Sequence, residues 1–427
     1  MLIVSACTAA TALIMEPIFD KLFAEKQASL IPTVMAIFFA VFALRGIASY
    51  FQTSLLTTIS LSAIHKMQMQ MYETLLRSDI KYLHNEGTAK QTTRFTSDVL
   101  RLRQGMEQVV IGGKDIFSVV GLIGAMFYTN WQLSLSAFIF FPLIIFPIQK
   151  IGRRLRKVSK QGQIETGQMN TILDDALKNL KQAQAYNRQD FELSRGESTF
   201  SRMRQLVFKA ARTRALNNPI QDSLSGFIMA LTIGWGAFMV FEDKLTQGQF
   251  VAFITAASLA YQPVRSLSNL WASVQEGLAA AERIFSVIDY KPAIVSPSNP
   301  VELKNVKGDV KFNNVSFSYS SDDLILDQIN IHAAAGETVA LVGPSGAGKS
   351  TILNLVPRFY DTCEGEILLD GHDVKKLALK DLRDQIGLVS QETGLFNDTI
   401  LNNILYGNPN ASRQEVENAA QAASAHD

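Results

Sequence analysis

Long stretches without charged side chains constrain this sequence more than any other feature. The stretch from Ile116 to Ile148 contains no charged residue, and the stretch from Leu30 to Ile64 contains one, Arg45. A helix that crosses a membrane needs about 20 mostly apolar residues. The first of these stretches is too long for one crossing, and its polar break at Thr129-Asn130-Trp131 predicts a tight hairpin of two spanning helices.

The same criterion predicts six spanning helices in all. The apolar stretches that supply them are Leu2 to Phe19, Leu30 to Ile64, Ile116 to Ile148 (two helices), Ile220 to Phe241 and Phe250 to about Gln275. The first has neither a basic start nor a clear cleavage site, so it reads as a spanning helix whose beginning is missing rather than as a signal peptide. The connections 65–108 and 150–214 are long and rich in bases, which places them on the cytoplasmic side. They contain few helix-breaking residues, so we expect the spanning helices to continue into the cytoplasm as rods.

Composition narrows the class further. Charged residues make up 19% of the 427 residues, and 40 Lys and Arg balance 39 Asp and Glu. These values exclude a disordered tail, a coiled coil and a nucleic-acid-binding protein with a basic surface. The two cysteines allow neither a disulfide framework nor a cysteine-based metal site. We predict a multi-domain protein with an all-α transmembrane domain over 1–288, a Pro- and Ser-rich linker over 289–307, and a second domain from 308 to 427.

The second domain has an α/β pattern built around a glycine-rich loop. Val310 to Tyr319 and Leu324 to His332 read as strands, and Thr338 to Val342 reads as a short buried strand. Directly afterwards comes Gly343-Pro344-Ser345-Gly346-Ala347-Gly348-Lys349-Ser350-Thr351, followed by a helical segment. This order is that of a phosphate-binding loop, in which backbone N–H groups and a helix N-terminus surround phosphate oxygens. Lys349 would neutralise phosphate charge, and the Ser350 hydroxyl would ligate Mg²⁺.

With six predicted helices before this loop, the sequence resembles the half-transporters of the ATP-binding cassette (ABC) exporters, and it is most similar to the bacterial lipid A flippases. The likeness to the flippases is carried by Leu44 to Tyr50, Thr129 to Ser134 and Pro263 to Leu267. Leu388-Val389-Ser390-Gln391 and the stretches Glu364 to Gly371 and Leu395 to Ile400 match the spacing of the family's ATP-binding domain. The resemblance implies an ATP-driven translocase with ATP and Mg²⁺ as cofactors. It also implies a second, identical half-transporter as partner and the bacterial inner membrane as location.

The resemblance also implies roles for individual residues. Tyr319 would stack on the adenine, and Gln391 would contact Mg²⁺ or the attacking water. Residues 343–351 would bind the phosphates. Arg45 and Arg265 would line a membrane cavity that receives the phosphates of a lipid.

Three elements of the family pattern are not found in the sequence: the L-S-G-G-Q signature, the strand that ends in Asp-Glu, and a switch histidine. We therefore expect the ATP-binding domain to be incomplete and the chain to be truncated at both ends, and the chain alone to bind nucleotide without turnover. Two alternatives stay open. The cargo is a drug or a peptide, or the protein is complete and is a non-hydrolysing, nucleotide-binding regulatory protein of the membrane.

Overall fold

The computed structural model describes residues 1–319, 324–390 and 394–426. Side chains are described throughout these ranges except at 136–153, 155, 156, 159, 160, 163, 214, 217, 218, 221, 268 and 269. The chain folds as two compact units. The first contains Met1–Glu73 and Ala89–Asp289, and the second contains Thr74–Thr88 and Tyr290–Asp427.

Up to residue 288, every regular element is a helix. The α-helices are α1 (Leu2–Leu13), α2 (Met15–Pro17), α3 (Ile31–Leu76), α4 (Ile80–Glu86), α5 (Thr88–Thr93), α6 (Val99–Thr129), α7 (Trp131–Lys178), α8 (Leu180–Ala185), α9 (Gln189–Ala215), α10 (Asn217–Phe241) and α11 (Gln247–Ile288). Short π-helices occupy Ile18–Ala24 and Arg94–Asp98, and a 3₁₀ turn occupies Ala28–Leu30.

The hairpin predicted at Thr129–Trp131 is present. α6 ends at Thr129 and α7 begins at Trp131, with the extended Asn130 between them. The Asn130 side chain accepts a hydrogen bond from the Leu133 N–H at 2.9 Å, so it satisfies one of the donors that a helix leaves unpaired in its first turn. A single polar residue therefore ends one helix and caps the next.

Within the first unit, α6 and α11 pack with their backbones close together. A Cβ atom built on Gly105 would lie 2.9 Å from the Gly277 Cα, which only two facing glycines can accommodate. Farther along the same pair of helices, Arg283 donates two hydrogen bonds to the buried carboxylate of Asp98, at 2.7 and 2.8 Å. The close approach and the bidentate ion pair fix α11 against the start of α6.

A third contact joins the beginning of α11 to the first helices of the unit. The Asp20 carboxylate accepts hydrogen bonds from the Thr246 hydroxyl at 2.6 Å and from the Gly248 N–H at 2.7 Å. Thr246 itself caps α11 by accepting from the Gln249 N–H. Negative charge at a helix N-terminus is stabilising, so Asp20 reinforces the start of α11.

Within the described ranges, four helical segments are long and apolar enough to cross a membrane: Leu2–Ala24, Ala28–Leu76, Thr88–Thr129 and Asp222–Phe241. The two other predicted spans fall on α7 and α11, which are continuous helices of 48 and 42 residues. Much of the apolar half of α7 lies among the positions whose side chains are not described.

The second unit combines a small sheet with short helices. Its strands are β1 (Val310–Phe317), β2 (Leu326–Ala333), β3 (Glu364–Leu369) and β4 (His372–Asp373), and its helices beyond residue 288 are α12 (Lys349–Leu355), α13 (Leu379–Asp384), α14 (Ile400–Leu405) and α15 (Arg413–Ala422), with a 3₁₀ turn at Val374–Lys376. The strands pair antiparallel in the order β2-β1-β3-β4. Apolar side chains from β1 and β3 pack against α12 and form the core of the unit, which includes Phe317, Leu355 and Ile367.

Candidate functional site

The glycine-rich loop 343–348 leads directly into α12. Gly346 and Gly348 have φ values of +87° and +84°, a region that glycine enters without steric cost. Gly348 is the residue that precedes the first turn of α12. Residues 343–347 are exposed, whereas Gly348 is buried where the loop meets α12. This geometry fits the prediction of a phosphate-binding loop.

The side chain of Lys349 folds back over the loop. Its ammonium group donates hydrogen bonds to the carbonyl oxygens of Gly343 at 2.8 Å and Pro344 at 2.7 Å. These contacts hold a positive charge at the loop, and among the residues that the structure describes no carboxylate forms a salt bridge with it. An incoming anion therefore meets a cation that is already positioned.

Tyr319 lies close to the start of α12, the helix that follows this loop, and its stacking on a base stays a prediction. It is the second residue after β1, and its hydroxyl lies 3.2 Å from the Thr351 hydroxyl on α12. Its ring packs edge-on against the rings of Phe317 and Tyr360, with centroid distances of 4.8 and 5.0 Å. The structure therefore brings Tyr319 and the start of α12 together, although 32 residues separate Tyr319 from Thr351.

The predicted buried strand from Thr338 to Val342 was wrong. The segment forms no strand, and the Val342 side chain is 93% exposed. A strand needs a hydrogen-bonded neighbour, and no strand within the described ranges pairs with this segment. Val389, in the predicted Leu388–Gln391 motif, is likewise 95% exposed. Gln391 itself lies outside the described residues.

The two arginines predicted for the membrane cavity lie on different helices. Arg45 is half-buried on α3, and Arg265 is half-buried on α11. Arg265 interacts with Tyr261, whose hydroxyl donates a 2.7 Å hydrogen bond to Asp222 on α10. Tyr261 also lines an apolar cavity of about 490 Å³ between α6, α10 and α11. Arg265 is therefore near a cavity. For Arg45 the structure gives its position on α3 and its partial burial.

Sequence reasoning missed a cluster around Asp79. This carboxylate, 8% exposed, accepts hydrogen bonds from the Tyr290 hydroxyl at 2.8 Å, the Ala293 N–H at 2.8 Å and the Ile294 N–H at 3.1 Å. The Tyr290 ring stacks on Tyr82 of α4 at 4.0 Å. Burial, together with the hydrogen bond to Asp79, raises the pKa of Tyr290 to about 12. More than 200 residues separate the partners, so no local spacing announces the cluster.

Comparison with known proteins bears on both parts of the chain. A family model described as the ABC transporter transmembrane region matches residues 1–264, and one described as ABC transporter matches residues 326–427. The chain belongs to the ABC transporter family. The first match includes Arg45 and ends just before Arg265, and the second includes residues 343–351 but begins after Tyr319.

Individual relatives of this ABC transporter chain share one name. Proteins of Syntrophus aciditrophicus and Desulfotalea psychrophila, each called ATP-dependent lipid A-core flippase, are 36% identical over the whole chain. The alignments cover 71% and 74% of those proteins. A protein of Yersinia pestis with the same name is 32% identical over 97% of the chain and 71% of its own length.

Proposed function

We propose that this chain is one half of an ATP-driven exporter that moves a lipid-like amphiphile of the lipid A type across the bacterial inner membrane. The observation that carries the proposal is a phosphate loop with a positioned lysine, in one chain with a set of apolar helices that match the ABC transmembrane region. The cargo is inferred from the relatives, which are named ATP-dependent lipid A-core flippase.

The residues of the loop fit a nucleoside triphosphate and Mg²⁺. Lys349 and the backbone N–H groups of 345–349 would bind phosphate oxygens, the exposed Ser350 hydroxyl would ligate the metal, and Tyr319 would stack on the base. Gln391 would contact the metal or the attacking water. Bound ATP supplies the free energy of phosphoryl transfer to water. We expect the loop to face the ATP-binding domain of a second, identical chain.

Movement of the cargo then follows from alternating access. Closure of two ATP-binding domains would be passed to the membrane helices through cytoplasmic segments such as Thr74–Thr88, which folds as one unit with Tyr290–Asp427. Such rigid-body switching needs a firm attachment, and Asp79 provides one through three hydrogen bonds. Arg45 and Arg265 would bind the anionic head group of the cargo.

Nucleotide binding is the first test. Mg-ATP affinity is measured on the purified full chain in lipid nanodiscs, for the unchanged chain and for Lys349→Ala. A hydrogen bond to a charged group contributes about 1.5–3 kcal/mol, so the variant is expected to bind roughly 10- to 100-fold more weakly. Lys380→Ala, at an exposed lysine of α13, is the matched control. Equal affinity in all three proteins would refute the nucleotide site.

Cargo is tested in liposomes that contain a hydrolysis-competent transporter, in which the residues of this chain are combined with a signature loop and a catalytic acid, and a fluorescent, phosphorylated lipid A analogue. ATP-dependent movement of this lipid between leaflets is expected, and Arg45→Ala combined with Arg265→Ala is expected to slow it. Arg413→Ala, at a residue whose side chain is 82% exposed, is the control. Equal slowing of a neutral amphiphile would exclude recognition of the phosphates. Lipid movement that does not depend on ATP would reject the exporter itself.

A further inference from the structure

Three aromatic rings meet at the end of β1, next to the phosphate loop. The centroids of Tyr319 and Tyr360 lie 5.0 Å apart with an interplanar angle of 85°, and those of Phe317 and Tyr360 lie 5.7 Å apart at 63°. Edge-to-face contact is the preferred geometry of such pairs, because the positive edge of one ring faces the negative surface of the next. Tyr360 is only 6% exposed, so the surrounding core fixes its own orientation.

Tyr319 is therefore held from two directions. Its hydroxyl contacts Thr351 on α12, and its ring is supported by the ring of Tyr360. A side chain that serves as a stacking platform works best when neighbouring groups have already fixed its rotamer. Tyr360 is the neighbour that is farthest along the chain, and it is buried in the core of the unit. It contacts no residue of the loop 343–348 in any described hydrogen bond or ring pair.

The hydroxyl of Tyr360 has a further partner outside the ATP-binding domain. It lies 3.3 Å from Nδ1 of His84, on α4. α4 is also anchored by other contacts. Asp79, which precedes α4, accepts hydrogen bonds from the Tyr290 hydroxyl and from two backbone N–H groups. Tyr82 of α4 stacks on the Tyr290 ring. The contact between His84 and Tyr360 therefore joins a fixed helix of the cytoplasmic connection to the ring that supports Tyr319.

We propose that Tyr360 is a positioning residue for nucleotide binding: it sets the orientation of Tyr319 toward the base and joins that ring to α4 through His84. The inference rests on the proposed nucleotide site and adds a residue to it. Because coupling between two sites is reciprocal, a bound base stabilises the position of α4, and α4 in turn favours binding of the base.

The experiment compares two probes on the full chain in lipid nanodiscs: Mg-ATP, and Mg-tripolyphosphate, which has no base. Tyr360→Leu removes the ring edge. An aromatic pair contributes enough to change affinity about two- to tenfold, so ATP binding should weaken by that factor while tripolyphosphate binding is unchanged. Tyr360→Phe restores the ring and should recover most of the ATP affinity. Tyr406→Leu, at a tyrosine 70% exposed in the same domain, is the control.

The attachment to α4 is measured by hydrogen exchange of residues 74–88. ATP should slow this exchange in the unchanged chain more than tripolyphosphate does, and the difference should disappear in His84→Ala.

Equal weakening of both probes in Tyr360→Leu would mean that Tyr360 only maintains the fold, and unchanged ATP affinity would mean that it does not position Tyr319. Either result overturns the inference while leaving the nucleotide site intact. Failure of the unchanged chain to bind either probe would refute the proposed nucleotide site, and this inference with it.

Discussion

Replacing Asp79 by alanine should release the segment that follows Tyr290. The carboxylate accepts three hydrogen bonds, two of them from the backbone N–H groups of Ala293 and Ile294. A fully buried donor that loses its partner costs about 1–3 kcal/mol, so three hydrogen bonds would give a larger sum. Because Ala293 is exposed and Ile294 is half-buried, water partly replaces the carboxylate and lowers the expected cost to about 3 kcal/mol. That value corresponds to roughly a hundredfold change in the local opening equilibrium.

The assay is amide hydrogen exchange of the peptide that contains Ala293 and Ile294. In Asp79→Ala the two amides should exchange about a hundredfold faster, because exchange reports the free energy of local opening. Asp79→Asn keeps one carbonyl acceptor and should give a smaller increase. Asp384→Ala, at an exposed aspartate of the same unit, should leave the rate unchanged. Unchanged exchange in Asp79→Ala would show that the carboxylate does not hold this segment.

Three further expectations concern other sites. The pKa of Tyr290 is raised from 10 to about 12, so the protonated hydroxyl contributes fully to folding stability below pH 10, and this contribution is lost between pH 10 and 12. Chemical unfolding measured at each pH should show this loss in the unchanged chain and not in Tyr290→Phe. A loss of the same size in Tyr290→Phe would contradict the assignment. Gly105→Ala forces a Cβ against Gly277 and should cost about 1–3 kcal/mol in thermal unfolding, whereas Gly124→Ala meets nothing within 4 Å and should not destabilise. Gly348→Ala places a side chain at φ +84° and should weaken Mg-ATP binding, and full affinity in this variant would mean that the loop binds no phosphate in the conformation described.

The sequence predicts those helices, strands and turns that are determined by residues close together in the chain. The polar Asn130 between two apolar stretches was enough to predict where α6 ends and α7 begins. The strands β1 and β2 and the loop before α12 were predicted from residue pattern and glycine spacing, and the structure has β1 at Val310–Phe317 and β2 at Leu326–Ala333. In each case the deciding residues lie within a few positions of one another.

The features that sequence reasoning missed depend on partners far along the chain. Nothing near Asp79 indicates that its carboxylate meets Tyr290, and nothing near His84 indicates a contact with Tyr360, 276 residues away. The strand predicted at Thr338–Val342 failed for a related reason. An apolar run has the propensity to form a strand, but the strand forms only when a neighbouring strand is paired with it.

The length of α3 has a mechanical consequence. Its 46 residues make a helix of about 69 Å, more than twice the roughly 30 Å of membrane hydrocarbon, so about 39 Å extends beyond the hydrocarbon. After Gly46 the helix contains neither proline nor glycine, the usual causes of a kink. A tilt of about 10° moves the end of such a lever arm by about 7 Å, more than one helical turn. A small change in the angle of the helix within the bilayer therefore produces a displacement of side-chain size at its far end.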